Sequence, residues 1–429
     1  MASSRLDIVI FGATGFTGKV AVKEILKFVK DKNITWGVAG RSEDKLKQVL
    51  QEVSNKTGED LSTVPVIVAD VKDPSTLSAM AARAKVVANC VGPYRLYGEP
   101  VVKACIENGT HHVDVSGEPQ FMEKMQLEYN KAAEEKGVYV ISACGFDSIP
   151  ADMGLIYFIE KFNGEVNAVE TYLESDSNEK VEGASIHYGT WESAVYGLTH
   201  WNELRPLRQK LYPERLPSFT PKLEPRSALH KSDVIGKWCT PFPGSDRPVM
   251  YRSQRFLYEQ DKVRPVQVQA YIGFPNLLAA IMVILVGGIF ALFTKTSFTR
   301  KLLLKHPKFF SFGFVSHEGP SEKTLTNTEF SITFSGVGWT EKAVEGPHTE
   351  PPNKTLVTKV SGRDPGYGLT TTALLLAGIT IIKDGDKMPG KGGVLPPGAA
   401  FAKTSLIKDL SSYGLKFEVI KEDVKEKSL

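Results

Sequence analysis

Cysteine and histidine are scarce in this 429-residue chain, at four and eight residues. Cys90, Cys105, Cys144 and Cys239 show no C-x-x-C spacing and have no histidine cluster beside them, so neither a zinc site nor a disulfide framework is indicated and reduced thiols are expected. His111 and His112 have no partner at metal-ligand spacing; they read as structural, and no metal is expected. An excess of one charge sign is missing too. With 52 Lys and Arg against 49 Asp and Glu, the net charge of +3 is too small to point to nucleic acid. Room for a leader is also lacking, since the first apolar run begins within about eight residues of Met1, and the chain is expected to face the cytosol. Finally, no charged residue lies between Arg264 and Lys295.

What is present begins with a strand-like run, 8–11, leading into Gly12-Ala13-Thr14-Gly15-Phe16-Thr17-Gly18 and then a helical pattern over 19–28. Glycines at 12, 15 and 18 suit a turn that brings backbone close to a pyrophosphate at a helix N-terminus. The spacing departs from G-x-G-x-x-G, with Thr14 where the second glycine would stand. A second run, 35–39, ends in Gly40-Arg41-Ser42, where the fingerprint for a free ribose 2′-hydroxyl would have an acid. A guanidinium suits a 2′-phosphate by charge and by fork geometry, so NADP is the expected cofactor. Gly12, Thr14, Gly15, Phe16, Thr17, Gly18, Arg41 and Ser42 are its expected contacts.

Apolar runs alternating with helical segments continue at 64–69, 86–91, 112–115 and 138–142. This predicts an α/β fold, a Rossmann-like doubly wound parallel sheet over residues 1–150. Asp70 closes the third strand, near adenine or its ribose. Asn89, Gly92 and Pro93 close the fourth, where nicotinamide is expected. Residues 151–365 read as a second, antiparallel α+β substrate domain, with strands near 166–173, 329–336 and 354–360, a helix over 190–198, and a loop over 205–246. Residues 366–429 are expected to pack back on the first domain: a fixed Gly/Pro loop at 392–401, then a helix and a strand that rejoin the first sheet.

The second domain carries a hydrophobic insertion, 265–314. Its centre, Leu277–Phe293, is seventeen apolar or glycine residues, about 25 Å of helix against a hydrocarbon core of roughly 30 Å. Lys295, Arg300, Lys301, Lys305 and Lys308 follow among phenylalanines and leucines, a composition that suits a lipid surface. Three readings stay open: a buried core helix, a transmembrane span, or a membrane-associating anchor kinked at Gly287-Gly288. The anchor is the leading expectation, and it would place the chain on a lipid droplet or a cytosol-facing membrane.

The glycine run, Ala39-Gly40-Arg41-Ser42, Asn89-Cys90-Val91-Gly92-Pro93-Tyr94, Val115-Ser116-Gly117-Glu118, the stretch from Gly145 through Asp147, Ser148 and Pro150 to Asp152, and the 392–401 segment together resemble the saccharopine dehydrogenase family, over essentially the full length. The resemblance is greatest to its lipid-droplet-associated members. It implies NADP chemistry on a lipid or lipid-linked substrate, by enoyl or carbonyl reduction; saccharopine itself, a small dicarboxylic amino acid, is not established as the substrate. Residues at strand ends facing nicotinamide are the catalytic candidates: Tyr94 and Tyr97 with Arg95, then Glu118, Asp147 and Ser148. His187, with Tyr188, Thr190 and Trp191, is a candidate for the substrate cavity. A nucleotide-binding scaffold or redox sensor that has lost catalysis, and a saccharopine reductase-type dehydrogenase, stay open as alternatives, as does a homo-oligomer.

Overall fold

The computed structural model describes residues 5–146, 148–177, 183–343 and 348–425. Strands β1 (Leu6–Phe11), β2 (Trp36–Gly40), β3 (Val66–Val68), β4 (Ala84–Asn89), β5 (His111–Asp114) and β6 (Tyr139–Ile141) form a parallel sheet in the order 3-2-1-4-5-6. Ile8, Val9 and Ile10 are fully buried, as expected of strands covered by helices on both faces. The helix Glu43–Thr57 lays Leu46, Val49, Leu50 and Val53 on the sheet at helical spacing and ends at Gly58, whose φ of 75° terminates it. Strand order reverses between β1 and β4, which opens a crevice at the carboxyl edge.

The chain leaves this sheet through the helix Ile149–Phe162, which packs on the second sheet so closely that a Cβ at Gly154 would stand 2.4 Å from the Phe334 ring. The second sheet runs Lys416–Val424, Lys354–Arg363, Thr328–Trp339, Glu165–Ser177, Gln267–Phe274, Trp238–Pro241, His230–Lys231. It is mixed rather than antiparallel throughout, because Gln267–Phe274 pairs in parallel with Glu165–Ser177. A continuous apolar core joins the two sheets.

Several expectations are corrected. The 205–246 stretch is not all loop: it contains the helix Leu204–Leu211 and the two strands that extend the second sheet. The 392–401 segment is a seventh parallel strand, Gly393–Leu395, paired with β6, followed by the helix Pro397–Phe401. The last strand, Lys416–Val424, joins the second sheet and not the first. Its charged, exposed side chains suit a sheet edge and could not be buried on both faces of a parallel sheet.

Leu277–Phe293 is one unbroken α-helix that continues through Gly287 and Gly288, so the expected kink is absent. It is not a core helix either. Ala280 is its one buried residue, and residues 281–289 are all exposed, about two and a half turns with no covered face. Both ends are held by the same body. Asn276 caps the start, directly after the Gln267–Phe274 strand, while Phe290 rests on Trp191 with ring centroids 4.7 Å apart and Thr294 is buried at the end. A span that carried the two halves of the chain to opposite sides of a bilayer does not fit this attachment.

Candidate active site

The turn after β1 depends on its glycines. Gly12 has φ +83°, and a Cβ there would lie 2.7 Å from Val91 Cγ2. A Cβ on Gly18 would lie 2.1 Å from the Gly12 carbonyl oxygen, so only glycine lets the helix Phe16–Glu24 start this close to the turn. No side chain caps that helix and no acid occupies its first turn, which leaves its leading N–H groups open to an anion at the carboxyl edge. Arg41 follows the last residue of β2, the strand beside β1, and is exposed without a partner among the described residues. This cradle, with a free guanidinium one strand away, fits a phosphorylated dinucleotide.

Other expected contacts have local structural tasks. Ser42 Oγ accepts the Lys45 N–H at 3.4 Å and caps its own helix. Asp70 Oδ1 accepts the Lys72 N–H at 3.0 Å in an Asx turn. Asn89 is fully buried, its Oδ1 accepting the Val91 N–H at 3.0 Å and so shaping the turn through Gly92 and Pro93. His111 Nδ1 accepts the Tyr139 N–H, and His112 is wholly buried; burial pushes their pKa values down to about 4 and about 3. No group of metal-ligating side chains occurs among the described residues.

The catalytic candidates separate clearly. Tyr94 is buried, donates its hydroxyl to the Asn89 carbonyl at 2.8 Å, and has a pKa pushed well up by burial. It braces the end of β4 and does not reach the cavity described below. Glu118 is a helix cap. Its carboxylate accepts the N–H groups of Tyr94 and Arg95, each at 2.9 Å, at the start of the helix Tyr94–Glu107, and also the Ser193 hydroxyl at 2.9 Å. Burial raises its pKa against those stabilising bonds. Both residues were expected at the rim because they follow strands; the Tyr94 hydroxyl instead donates to the carbonyl that ends β4, and the Glu118 carboxylate turns inward because the helix N-terminus needs an acceptor. Tyr97 lies half-buried on the same helix, outside the cavity lining. Asp147 falls outside the described residues. Ser148 does line the cavity, with its Oγ 3.1 Å from Ser245 Oγ.

That cavity, about 450 Å³, lies between the carboxyl edge of the first sheet and the second domain. Thr17, Ser116 and Ser148 line it from the nucleotide side, and Asp176, Ile186, Thr190, Phe314 and Tyr367 from the other. No Lys, Arg or His is among the described lining residues. The phosphate turn is tied directly to this wall: the Phe16 ring stacks on His187 at 5.0 Å and meets Tyr367 edge-on at 4.6 Å, and the Tyr367 hydroxyl accepts the His187 N–H at 2.8 Å. His187 caps the helix Tyr188–Thr199 through its Nδ1, so its place is beside the cavity rather than in its lining. On that helix Thr190 faces the cavity, Ser193 bonds Glu118, and the Trp191 indole N–H donates to the Leu303 carbonyl at 3.0 Å.

Tyr367 and Phe314 were missed by sequence reasoning. Tyr367 sits in Asp364-Pro365-Gly366-Tyr367-Gly368, a turn dense enough in Gly and Pro to have marked a shaped loop. Asp152 has a role no local pattern gives. Its Oδ2 accepts the Ser253 hydroxyl and the Gly398 N–H, both at 2.6 Å, with burial pushing its pKa up to about 6. A Cβ on Gly398 would stand 2.5 Å from its Oδ1, so the 145–152 and 392–401 motifs meet at one carboxyl group.

Comparison with known proteins matches residues 8–141 to the family model of the saccharopine dehydrogenase NADP binding domain. The chain is similar to the saccharopine dehydrogenase-like oxidoreductase of Homo sapiens, 43% identical over 96% of this chain and 97% of the relative. It is also similar to the lipid droplet localized protein of Caenorhabditis elegans, 38% identical over 98% and 99%. Among solved structures, apo saccharopine dehydrogenase (L-Glu forming) from Saccharomyces cerevisiae shares the fold, with a TM-score of 0.54 over 96% of this chain and 99% of that one at 14% identity.

Proposed function

The chain belongs to the saccharopine dehydrogenase-like oxidoreductases and binds NADP; from that premise we propose that it reduces an uncharged, lipid-soluble carbonyl or enoyl substrate at the cytosolic surface of a lipid droplet or membrane. In this reading the leading N–H groups of Phe16, Thr17 and Gly18 hold the pyrophosphate, and Arg41 holds the 2′-phosphate. Gly12, Thr14 and Gly15 shape that turn, Ser42 and Asp70 border the adenosine, and Asn89, Gly92 and Pro93 form the ledge for nicotinamide. NADPH supplies the hydride. The chain supplies a cavity whose hydroxyls, Ser148 and Tyr367 among them, can orient a carbonyl oxygen.

One observation carries the lipid assignment. The helix that walls the cavity, Tyr188–Thr199, touches the end of the bare apolar helix through Trp191 and Phe290. Nine consecutive exposed residues of that composition favour lipid over water. The droplet name of the nematode relative supports the same surface. A dicarboxylic amino acid would need cations, and the described lining offers none. The test is NADPH oxidation by the purified chain on neutral vesicles carrying a cell lipid extract, with the relevant amino-keto acids as the parallel substrate. Turnover is expected with the extract alone. Turnover with the amino-keto acids alone would overturn the reading, and bound NADPH with no turnover in either would favour the scaffold.

A further inference from the structure

Beside the cavity mouth lies a second concavity that the reduction does not use. It is a groove of about 530 Å³ between the end of the basic segment and the loop that returns to the body, lined by Lys305, His306, Lys308, Phe309, His317 and Glu318 among others. Neither lysine forms a salt bridge among the described residues, and Lys308 attracts Glu318 at longer range. Glu318 is the one acid in the lining, facing two lysines and two histidines. The His317 ring stacks on Tyr188 at 4.2 Å, which fixes this wall to the helix over the cavity. Phe309, in the lining, is 77% exposed, and Phe298 and Phe312 on the same 295–314 segment are 71% and 87% exposed. Phe314, which lines the cavity, lies two residues before Ser316, which lines the groove, so the two concavities are joined by a short stretch of chain.

A cationic groove on a segment that carries bare aromatic rings, joined by a short stretch of chain to a cavity without cations, is complementary to an amphiphile with an anionic head. We propose that this groove holds the phosphate-bearing headgroup of an anionic phospholipid in the surface on which the chain docks, with Lys305 and Lys308 as its principal contacts. The proposal rests on the docking reading above and adds a discrete site to it. The bound headgroup sets Phe314, and with it the cavity mouth, at the depth where acyl chains begin.

Vesicle flotation tests it, with wild type, Lys305→Ala/Lys308→Ala, and a control pair that removes the same charge from the same basic run outside the groove, Lys295→Ala/Lys301→Ala. Phosphatidylcholine vesicles are compared with equimolar phosphatidylcholine and phosphatidic acid, and NADPH binding in each sample reports folding. If the groove pair misfolds, Lys305→Gln and Lys308→Gln singly carry the same comparison. Partition to the anionic vesicles should fall about thirty-fold for the groove pair, several-fold more than for the control, with phosphatidylcholine partition unchanged. Equal losses for the two pairs would mean diffuse attraction and overturn the site. Displacement by inorganic phosphate at matched ionic strength is expected of a phosphate site; phosphate binding in solution together with no wild-type preference for the phosphatidic acid vesicles would assign the groove to a free anion and overturn the lipid headgroup. Failure of wild type to float with phosphatidylcholine would count against docking, while the ratio between vesicle types would still report on the groove.

Discussion

Leu277–Phe293 and Thr370–Lys383 are both strongly apolar helices, and they occupy opposite environments. The second is buried from Thr370 through Ile381 against the first sheet, where Gly378 packs over Val86 and Ile8, and its Thr371 and Thr372 hydroxyls are bonded inside. The first has no polar side chain between its caps and a single buried residue. Burial therefore does not follow from apolar content. The core helix lies on the first sheet, whereas the exposed stretch of the other suits a solvent that is itself apolar.

The largest expected effect separates the two by what each is for. Leu285→Ser/Ile289→Ser/Leu292→Ser should lower partition onto neutral vesicles on the order of a thousand-fold, at about 1.5 kcal/mol per side chain, with NADPH affinity unchanged. Unaltered partition would erase the distinction. Next, Leu374→Ala in the core helix should destabilise the fold by about 2–5 kcal/mol in urea, while Leu285→Ala in water should stay within about 0.5 kcal/mol. Similar losses would show that the exposed helix is packed after all. Smaller again, Arg41→Ala should weaken NADPH binding by about 1.5–3 kcal/mol and leave NADH binding and vesicle partition as they were. Equal wild-type affinities for the two cofactors would remove Arg41 from the 2′-phosphate. The smallest effect concerns Gly287 and Gly288, where a Cβ would meet nothing within 4 Å. Alanine at each should stabilise the unbroken helix by about 0.5–1 kcal/mol without loss of vesicle partition, whereas a docking mode that needs a bend would lose it.

These contrasts also mark what the sequence could convey. The parallel sheet was legible because its strands are short apolar runs closed by glycine turns, and the turn at Gly12–Gly18 carries its constraint in the residues themselves. The family was legible from motifs spread along the whole chain. Which strand joins which sheet was not, since Gly393–Leu395 and Lys416–Val424 find partners far away along the chain, and no local pattern encodes that choice. Tyr94 and Glu118 show the same limit at the site. Strand-end position is visible in sequence, but whether a side chain faces the substrate or satisfies a helix N-terminus is decided by packing. The exposure of Leu277–Phe293 was likewise undetermined by composition, which admitted core and lipid alike.

The most direct test of the account labels Leu285→Cys with an environment-sensitive fluorophore, and Lys131→Cys, on the surface of the first domain and exposed, as its reference. On neutral vesicles the label at 285 should shift to the blue and be quenched by lipid-borne quenchers, while the label at 131 stays in water and NADPH still binds. A label at 285 that remains as hydrated on vesicles as in buffer would contradict the claim that this helix meets lipid.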